Sequence, residues 1–431
     1  MKLFQQMLVA TAAVGFFAPI AAQASDVINI DGMNDYSRSK KSAKRIDSKT
    51  FIRETNDDIA VLKGRVDGLE AQQTNFEAGA FSSTTTMDGK AIMWIGGVDG
   101  GNKIGGTDST QTGYTYTMNL NTSFSGDDNL YVRLKAGEAG SQWGKKPTYH
   151  IDRKATSDAF KLDKMWYTLP VGDNWTLIGG PRIENYYMYI TPSIYKPGAL
   201  KSMKLGGNSN FGASTDVGFG FKWETKSGFG IASNLVDKSA DSSTGLLNDG
   251  SKNKWDTQIA YTRPQYHASL TLSNAQNWTS QSYNATSFGA AMKGIDGDTT
   301  GYALRGYWRP LETGTITPEV SLGYDIKSAD NPGAGGASEA NSYFVGLTWR
   351  DIYQADDRIG IAFTQPLKVV EYSGTCQVSC TDVDPFVWEA YYSFKPNDSM
   401  EVRPAIFGGS DVLSDTEDDI FGAVLTSTFK F

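Results

Sequence analysis

Residues 114–124 read YTYTMNLNTSF, and the alternation in that stretch decides the fold. Tyr114, Tyr116, Met118, Leu120 and Phe124 fall on one row, and Thr115, Thr117, Asn119, Asn121 and Ser123 on the other. A period of two belongs to a β-strand, whose successive side chains point to opposite faces, here one apolar and one polar. Outward from this stretch the pattern continues through Leu130, Val132 and Leu134 and returns in Val217-Phe219-Phe221-Trp223. It recurs in Trp255-Thr257-Ile259-Tyr261, Tyr302-Leu304-Gly306-Trp308, Val320-Leu322-Tyr324-Ile326 and Phe386-Trp388-Ala390-Tyr392-Phe394.

The connections between these runs alternate in length. Short turns fall at 125–128, 171–174, 225–228, 263–265, 310–314, 351–356 and 396–399. Longer segments lie near 97–112, 137–160, 180–213, 237–252, 276–298, 327–340, 367–385 and 409–418. Eight long loops and seven turns imply sixteen strands, with both termini on the turn side. A soluble sandwich has no reason to gather its long loops at one end, whereas a transmembrane barrel does so. The expected fold is all-β: a 16-stranded antiparallel transmembrane β-barrel over 84–431, of a width that leaves an aqueous lumen.

Composition agrees with that reading. Glycine is frequent at 46 residues, aromatics reach 12% and prolines number 14, while the mean hydropathy is −0.37. A barrel crosses lipid with such a composition because only every second residue meets hydrocarbon. The formal net charge of −8 argues against a nucleic-acid partner.

Residues 1–24 read as a secretory signal, with Lys2, an apolar core from Met7 to Ile20, and Ala22-Gln23-Ala24 before Ser25; an uncleaved anchor helix is the alternative. A polar, basic segment at 25–50 carries Lys40, Lys41, Lys44 and Arg45, and is expected to be periplasmic. A short helix follows at 51–76, where Ile52, Ile59, Leu62, Val66 and Leu69 take a and d positions of a brief coiled coil. Gly64 and Gly68 weaken it as an isolated helix, and a lone amphipathic helix is the competing account. Cys376 and Cys380 are the two cysteines of the chain, and export predicts a local disulfide between them. A metal site is disfavoured, since His150 and His267 lie far from them and from each other.

Function follows from the direction of the polar face. Hydrocarbon demands an apolar outer face, so the polar face lines the lumen. Alternation assigns Arg133, Lys135, Arg305, Arg358 and Arg403 to it, together with Asp256, Glu319, Asp325, Glu389 and Glu401. Arg133, Arg305 and Arg403 are expected near mid-height, with Arg182 at the root of the longest loop completing a positive arc and Glu319 and Glu389 opposing it. Opposed charges at a constriction would screen ions by sign, although the same groups could simply pair along the wall. The loop at 180–213 carries Arg182, Glu184, Tyr186, Tyr187, Tyr189 and Tyr195. Its length suggests a functional role, either folding inward to narrow the pore or packing on a neighbouring subunit. No GxSxG, HExxH or P-loop pattern is present, so no catalytic residue and no cofactor is expected.

The chain resembles a cyanobacterial outer-membrane porin of the carbohydrate-selective porin (OprB-like) family. The resemblance rests on the heptad run IAVLKGRVDGLEA at 59–71, the lead-in FEAGAFSSTTTMDGKA at 76–91, and the final FGAVLTSTFKF ending in Phe431. It implies a homotrimer in membrane lipid conducting small hydrophilic solutes: sugars by the family's name, inorganic ions by the habit of related cyanobacterial porins. The surface-layer-homology domain usual before the coiled coil has no room in the 25 or so residues from Ser25 to Lys49. That departure puts a tethering role in doubt, and leaves the basic cluster as the candidate contact to cell-wall polysaccharide.

Overall fold

The computed structural model describes residues 84–100, 107–138, 143, 156–190, 193–207, 211–212, 215–278, 298–375, 384–411 and 419–431, together with Lys63 and Val66. Residues Met1–Ser83 form one unit and Thr84–Phe431 another. The signal, the basic segment and all but two residues of the expected coiled coil therefore lie outside the described residues, as do Cys376 and Cys380.

The second unit is a closed antiparallel barrel of sixteen strands, each paired with its neighbours in sequence. The first half comprises β1 (Thr85–Asp99), β2 (Gln111–Thr122), β3 (Asn129–Glu138), β4 (Lys161–Val171), β5 (Trp175–Ile183), β6 (Asp216–Glu224), β7 (Phe229–Asp237) and β8 (Asn253–Thr262). The second half comprises β9 (Tyr266–Gln276), β10 (Thr299–Trp308), β11 (Glu319–Ala329), β12 (Ala337–Arg350), β13 (Arg358–Tyr372), β14 (Phe386–Asn397), β15 (Met400–Ser410) and β16 (Ile420–Lys430). Closure comes from β1 pairing with β16, where Lys90 faces Lys430 and Asp99 faces Phe421. The register continues one step further, since Gly89 and Phe431 exchange backbone hydrogen bonds at 2.9 and 3.2 Å. The first strand begins and the last strand ends on the turn side, as an even strand number requires. Closure leaves no free sheet edge in lipid.

The seven turns fall where the sequence places them, with one difference. The connection between β10 and β11 spans 309–318, longer than the turn read at 310–314. Trp349 lies beside it and donates its indole N–H to the Ile316 carbonyl at 2.7 Å, holding the extra residues against the turn end of β12. Short turns need particular backbone chemistry. Gly228 takes φ +97°, and a Cβ there would lie 2.5 Å from the Thr262 carbonyl oxygen, so the β6–β7 turn is closed to any larger residue.

The two faces separate as period two demands. On β8, Ile259 is 57% exposed on the outside while its neighbour Gln258 is 0% exposed within. Trp175 of β5 and Trp223 of β6 pair across strands at the turn end, ring centroids 6.4 Å apart, the depth where amphipathic rings favour the headgroups. The inner face is not polar throughout. Trp94, Phe344, Val387, Phe407 and Val424 occupy inner rows and pack in one cluster with Trp143, Tyr195, Leu200 and Met203. Loop side chains inside the barrel explain this departure from a polar lumen, because a docked loop needs an apolar surface to bury against.

Candidate functional site

The described stretches between β5 and β6, 184–190, 193–207 and 211–212, lie inside the barrel and meet more than one of its walls. A turn of 3-10 helix at Asn185–Met188 starts the first. Asn185 donates its amide to Asp256 on β8 at 2.8 Å, and the Tyr189 hydroxyl donates to the same oxygen at 2.6 Å. One step on, the Ile190 N–H donates to Gln258 at 2.8 Å. Ser193 then meets Ser321 of β11 at 2.7 Å.

At the far wall the chain wraps one carboxylate. Glu389 of β14 is 0% exposed. It accepts from the Tyr195 hydroxyl at 2.8 Å and from the backbone N–H groups of Gly198, Ala199 and Leu200 at 2.7, 3.0 and 2.7 Å. A buried carboxylate is costly unless its lone pairs are filled, and each hydrogen bond to a charged group contributes roughly 1.5–3 kcal/mol net. Four donors from one short stretch make Glu389 the strongest polar hold on the loop. Arg403 of β15 adds a donor to the Pro197 carbonyl at 2.8 Å.

The return path runs along Lys201–Gly207 to β10 and β11. Arg305 donates through Nε to the Leu205 carbonyl at 2.8 Å, and through Nη2 to both oxygens of Asp325 at 3.2 and 3.0 Å. Gly206 there takes φ +69°, and it presses so close to β11 that a Cβ on Gly323 would lie 2.0 Å from the Gly206 carbonyl oxygen. Lys254 of β8 reaches the Gly212 carbonyl at 3.4 Å.

The root of the loop is held by aromatic and ionic contacts on β3 and β4. Tyr131, Trp166, Tyr187 and Tyr186 form a continuous stack with centroid separations of 4.3, 4.6 and 4.6 Å. Lys164 pairs with Glu184, and its Nζ sits 5.0 Å from the Tyr187 ring.

These contacts place each residue that the sequence singles out. Arg133 donates to the Tyr131 hydroxyl at 2.8 Å and lies 3.7 Å from Asp163. Arg305 is buried under the loop, and Arg403 touches both the loop and Glu401. Arg358 is half-buried at the turn end of β13. Arg182 is exposed and pairs with Met165 near the loop end of β5, on the row that continues outward Val132. Arg182 therefore stands apart from the inner-row arginines with which the sequence grouped it. Glu319 opens β11 at the turn end, bound to Arg350 at 2.7 Å, whereas Glu389 lies near the loop end of β14 beneath the loop. The two do not share a height, and Glu389 faces loop donors instead of the lumen. Lys164, Asp163 and Trp166 went unread in the sequence, because KLDKMWYTLP at 161–170 breaks alternation at the β-bulge beside Arg133.

No protein-family model matches the chain. It is similar to an uncharacterized protein of Nostoc sp., 23% identical over 416 residues that cover 87% of this chain and 70% of that one. An uncharacterized protein of Synechocystis sp. is 26% identical over 404 residues, covering 83% and 71%. Among solved structures, the anion-selective porin from Comamonas acidovorans superposes with a TM-score of 0.54 at 10% identity, covering 81% of this chain and all 100% of that one. Salmonella typhi OmpF in complex with daunomycin gives 0.52 at 13%, covering 80% and 97%. The barrel has the porin fold. Vibrio cholerae OmpT in its trimer form gives 0.51 at 9%, covering 81% and 99%. The inward segment is the third long loop of this barrel, between β5 and β6.

Proposed function

We propose that the chain forms an outer-membrane channel for passive diffusion of small hydrophilic solutes, narrowed by the loop stretches 184–190 and 193–207. The observation that carries this reading is the loop held within the barrel by Glu389, Arg305 and Asp256. A barrel serving only to fasten membrane to wall has no need of a loop fixed across its interior. The polar holds on that loop come from β8, β10, β11, β14 and β15, and its apolar seat extends onto β16 and β1.

Ions are the solutes that the wall chemistry favours, with anions ahead of cations. Lys90, Arg133, Lys135, Arg358, Arg403 and Lys430 stay at least partly exposed on inner rows of β1, β3, β13, β15 and β16. Against them on those rows stand Asp88, hydrogen-bonded by Asn119 and Asn121 at 2.6 and 3.0 Å, and Glu401, engaged by Arg403. An unbalanced charge of that sign raises local anion concentration, and the Comamonas porin of the same fold is itself described as anion-selective. Sugars, implied by the family resemblance, are a second solute class. The assembly is proposed as a homotrimer in lipid, with residues 25–76 periplasmic, Cys376 bonded to Cys380, and the basic segment 25–50 in contact with anionic wall polymer. Single-channel recording of the purified full chain in a planar bilayer tests the reading. Discrete ohmic steps and an anion-favouring reversal potential in a potassium chloride gradient are expected. A barrel that inserts and never conducts overturns it.

A further inference from the structure

A second polar feature lies at the turn end, away from the loop. Beneath the connection 309–318 is a cavity of about 140 Å³, with Arg309, Arg350, Glu319 and Thr348 in its wall. One water needs roughly 10–15 Å³ of such space, so the cavity has room for a polyatomic ion. Glu319 and Thr348 face each other across β11 and β12 on the inner row, and Arg350 follows on the same row. Arg350 donates through Nη2 to Glu319 Oε1 at 2.7 Å, and Arg309 Nε lies 3.8 Å from that same oxygen. One carboxylate oxygen thus serves two guanidinium groups. The Nε atoms of both Arg309 and Arg350 are buried and lack a hydrogen-bond partner among the described residues. The Arg309 guanidinium is 5.2 Å from the Tyr307 ring, which fixes its plane. Glu312 also borders the cavity and is exposed on the turn, where water solvates it.

Two buried, unfilled donors on adjacent guanidiniums call for an acceptor. A buried N–H with no partner costs about 1–3 kcal/mol, and such groups in native structures are commonly met by water or an ion. Arginine forks suit an acceptor with several oxygens on one centre, because parallel N–H···O bonds add geometry to charge. A halide offers one point and cannot bridge two forks in this way. We propose that this cavity is a binding site for a small inorganic oxyanion of the phosphate or sulfate kind, held between Arg309 and Arg350 with Glu319 as its competitor. Its place on the inner row at the turn end puts a bound oxyanion at the mouth of the proposed channel, and that consequence rests on the channel reading.

Calorimetric titration of the detergent-purified full chain with orthophosphate, sulfate and chloride tests the site without any need for conduction. Orthophosphate and sulfate should bind and displace each other, with chloride at least tenfold weaker. Arg309→Gln and Arg350→Gln should each weaken orthophosphate at least tenfold. Glu319→Gln should tighten it several-fold, because it removes the carboxylate that competes for both guanidiniums. That sign separates a ligand site from a structural ion pair, whose loss on either side would act alike. Should Arg350→Gln fail to fold, Arg309→Gln and Glu319→Gln decide the matter. No binding by the unaltered chain, or weakening by Glu319→Gln, overturns the proposal. A chain that conducts and binds no oxyanion sinks this site alone, whereas one that binds and does not conduct sinks the channel reading.

Discussion

At the scale of single residues, Glu389 is where sequence and structure teach most. Its two oxygens divide the work: Oε1 takes Tyr195 and Gly198, and Oε2 takes Ala199 and Leu200. Glu389→Gln keeps the shape but in either orientation puts an amide donor against at least one backbone N–H, and leaves that N–H unfilled. A buried N–H left without a partner in this way costs about 1–3 kcal/mol. The loop should then leave the wall for part of the time, giving larger open-channel noise and new protease cleavage within 193–207 in the intact barrel. Quiet current and unchanged protease resistance would refute the loop-holding role. Alternation in 386–394 already puts Glu389 on the inner face, yet what covers it was not legible. Its partners lie 189 to 194 positions away in sequence, and a local period carries no record of so distant a contact. The signal that does exist is the loss of alternation in AIFGG at 405–409 and GAVL at 422–425. There apolar residues fall on both rows, and those on the inner row proved to be the loop's seat.

At the scale of elements, strands and turns were legible because their physics is local: a two-residue period, and turn chemistry within a few positions. The β2–β3 turn shows how local. Asp128 accepts from the Tyr167 hydroxyl at 2.6 Å, from the Ser125 N–H at 2.7 Å, and from Ser123 and Phe124 at 2.9 Å. The Tyr167 hydroxyl, followed by the Ser125 backbone, holds this carboxyl well below the usual carboxylate range. A carboxylate depressed in the folded state stabilises above its unfolded value of about 3.9, and that contribution is lost as pH falls through the folded value. Asp128→Asn should therefore lower the barrel's melting temperature by a constant amount from pH 5 to pH 7, with the gap closing below about pH 4. A gap independent of pH down to pH 2 would show that the turn does not use the charge. The loop's return leg makes a different kind of element, one defined by absent side chains. Gly323→Val would set its Cβ against the Gly206 carbonyl and should displace the Lys201–Gly207 stretch. Since Arg305 gains the Leu205 carbonyl only when that stretch is seated, the variant should raise single-channel conductance measurably while the barrel stays closed. Unaltered conductance would mean that the return leg is not at the narrowest point.

At the scale of the whole molecule, the net charge of −8 and the proposed anion preference point in opposite directions, and charge placement reconciles them. Coulomb interaction between unit charges 4 Å apart is about 1 kcal/mol in bulk water and about 4 kcal/mol near a protein surface, so groups lining a narrow passage outweigh distant ones that salt screens. The arginines expected to act together split into two kinds. Arg133 and Arg403 retain side-chain exposures of 19% and 20%, whereas Arg305 retains 0%. In the proposed channel a passing ion would meet the first two and not the third. Burial, and after it the neighbouring Arg358, also lowers the Lys196 ammonium from its ordinary value; it is a cation near Arg403 and Glu401 whose charge weakens in alkali. Replacing Arg133 and Arg403 together by Gln should move the reversal potential in a salt gradient toward cations, a bias of ~1.4 kcal/mol changing relative permeability about tenfold. Arg305→Gln should behave otherwise. It removes the hold on Leu205 and leaves Asp325 without the Nη2 donor that serves both its oxygens, so conductance and noise should change while the sign preference stays. The pair of measurements separates pore-facing charge from loop-seating charge, and equal shifts in reversal potential from both variants would show that the division is wrong.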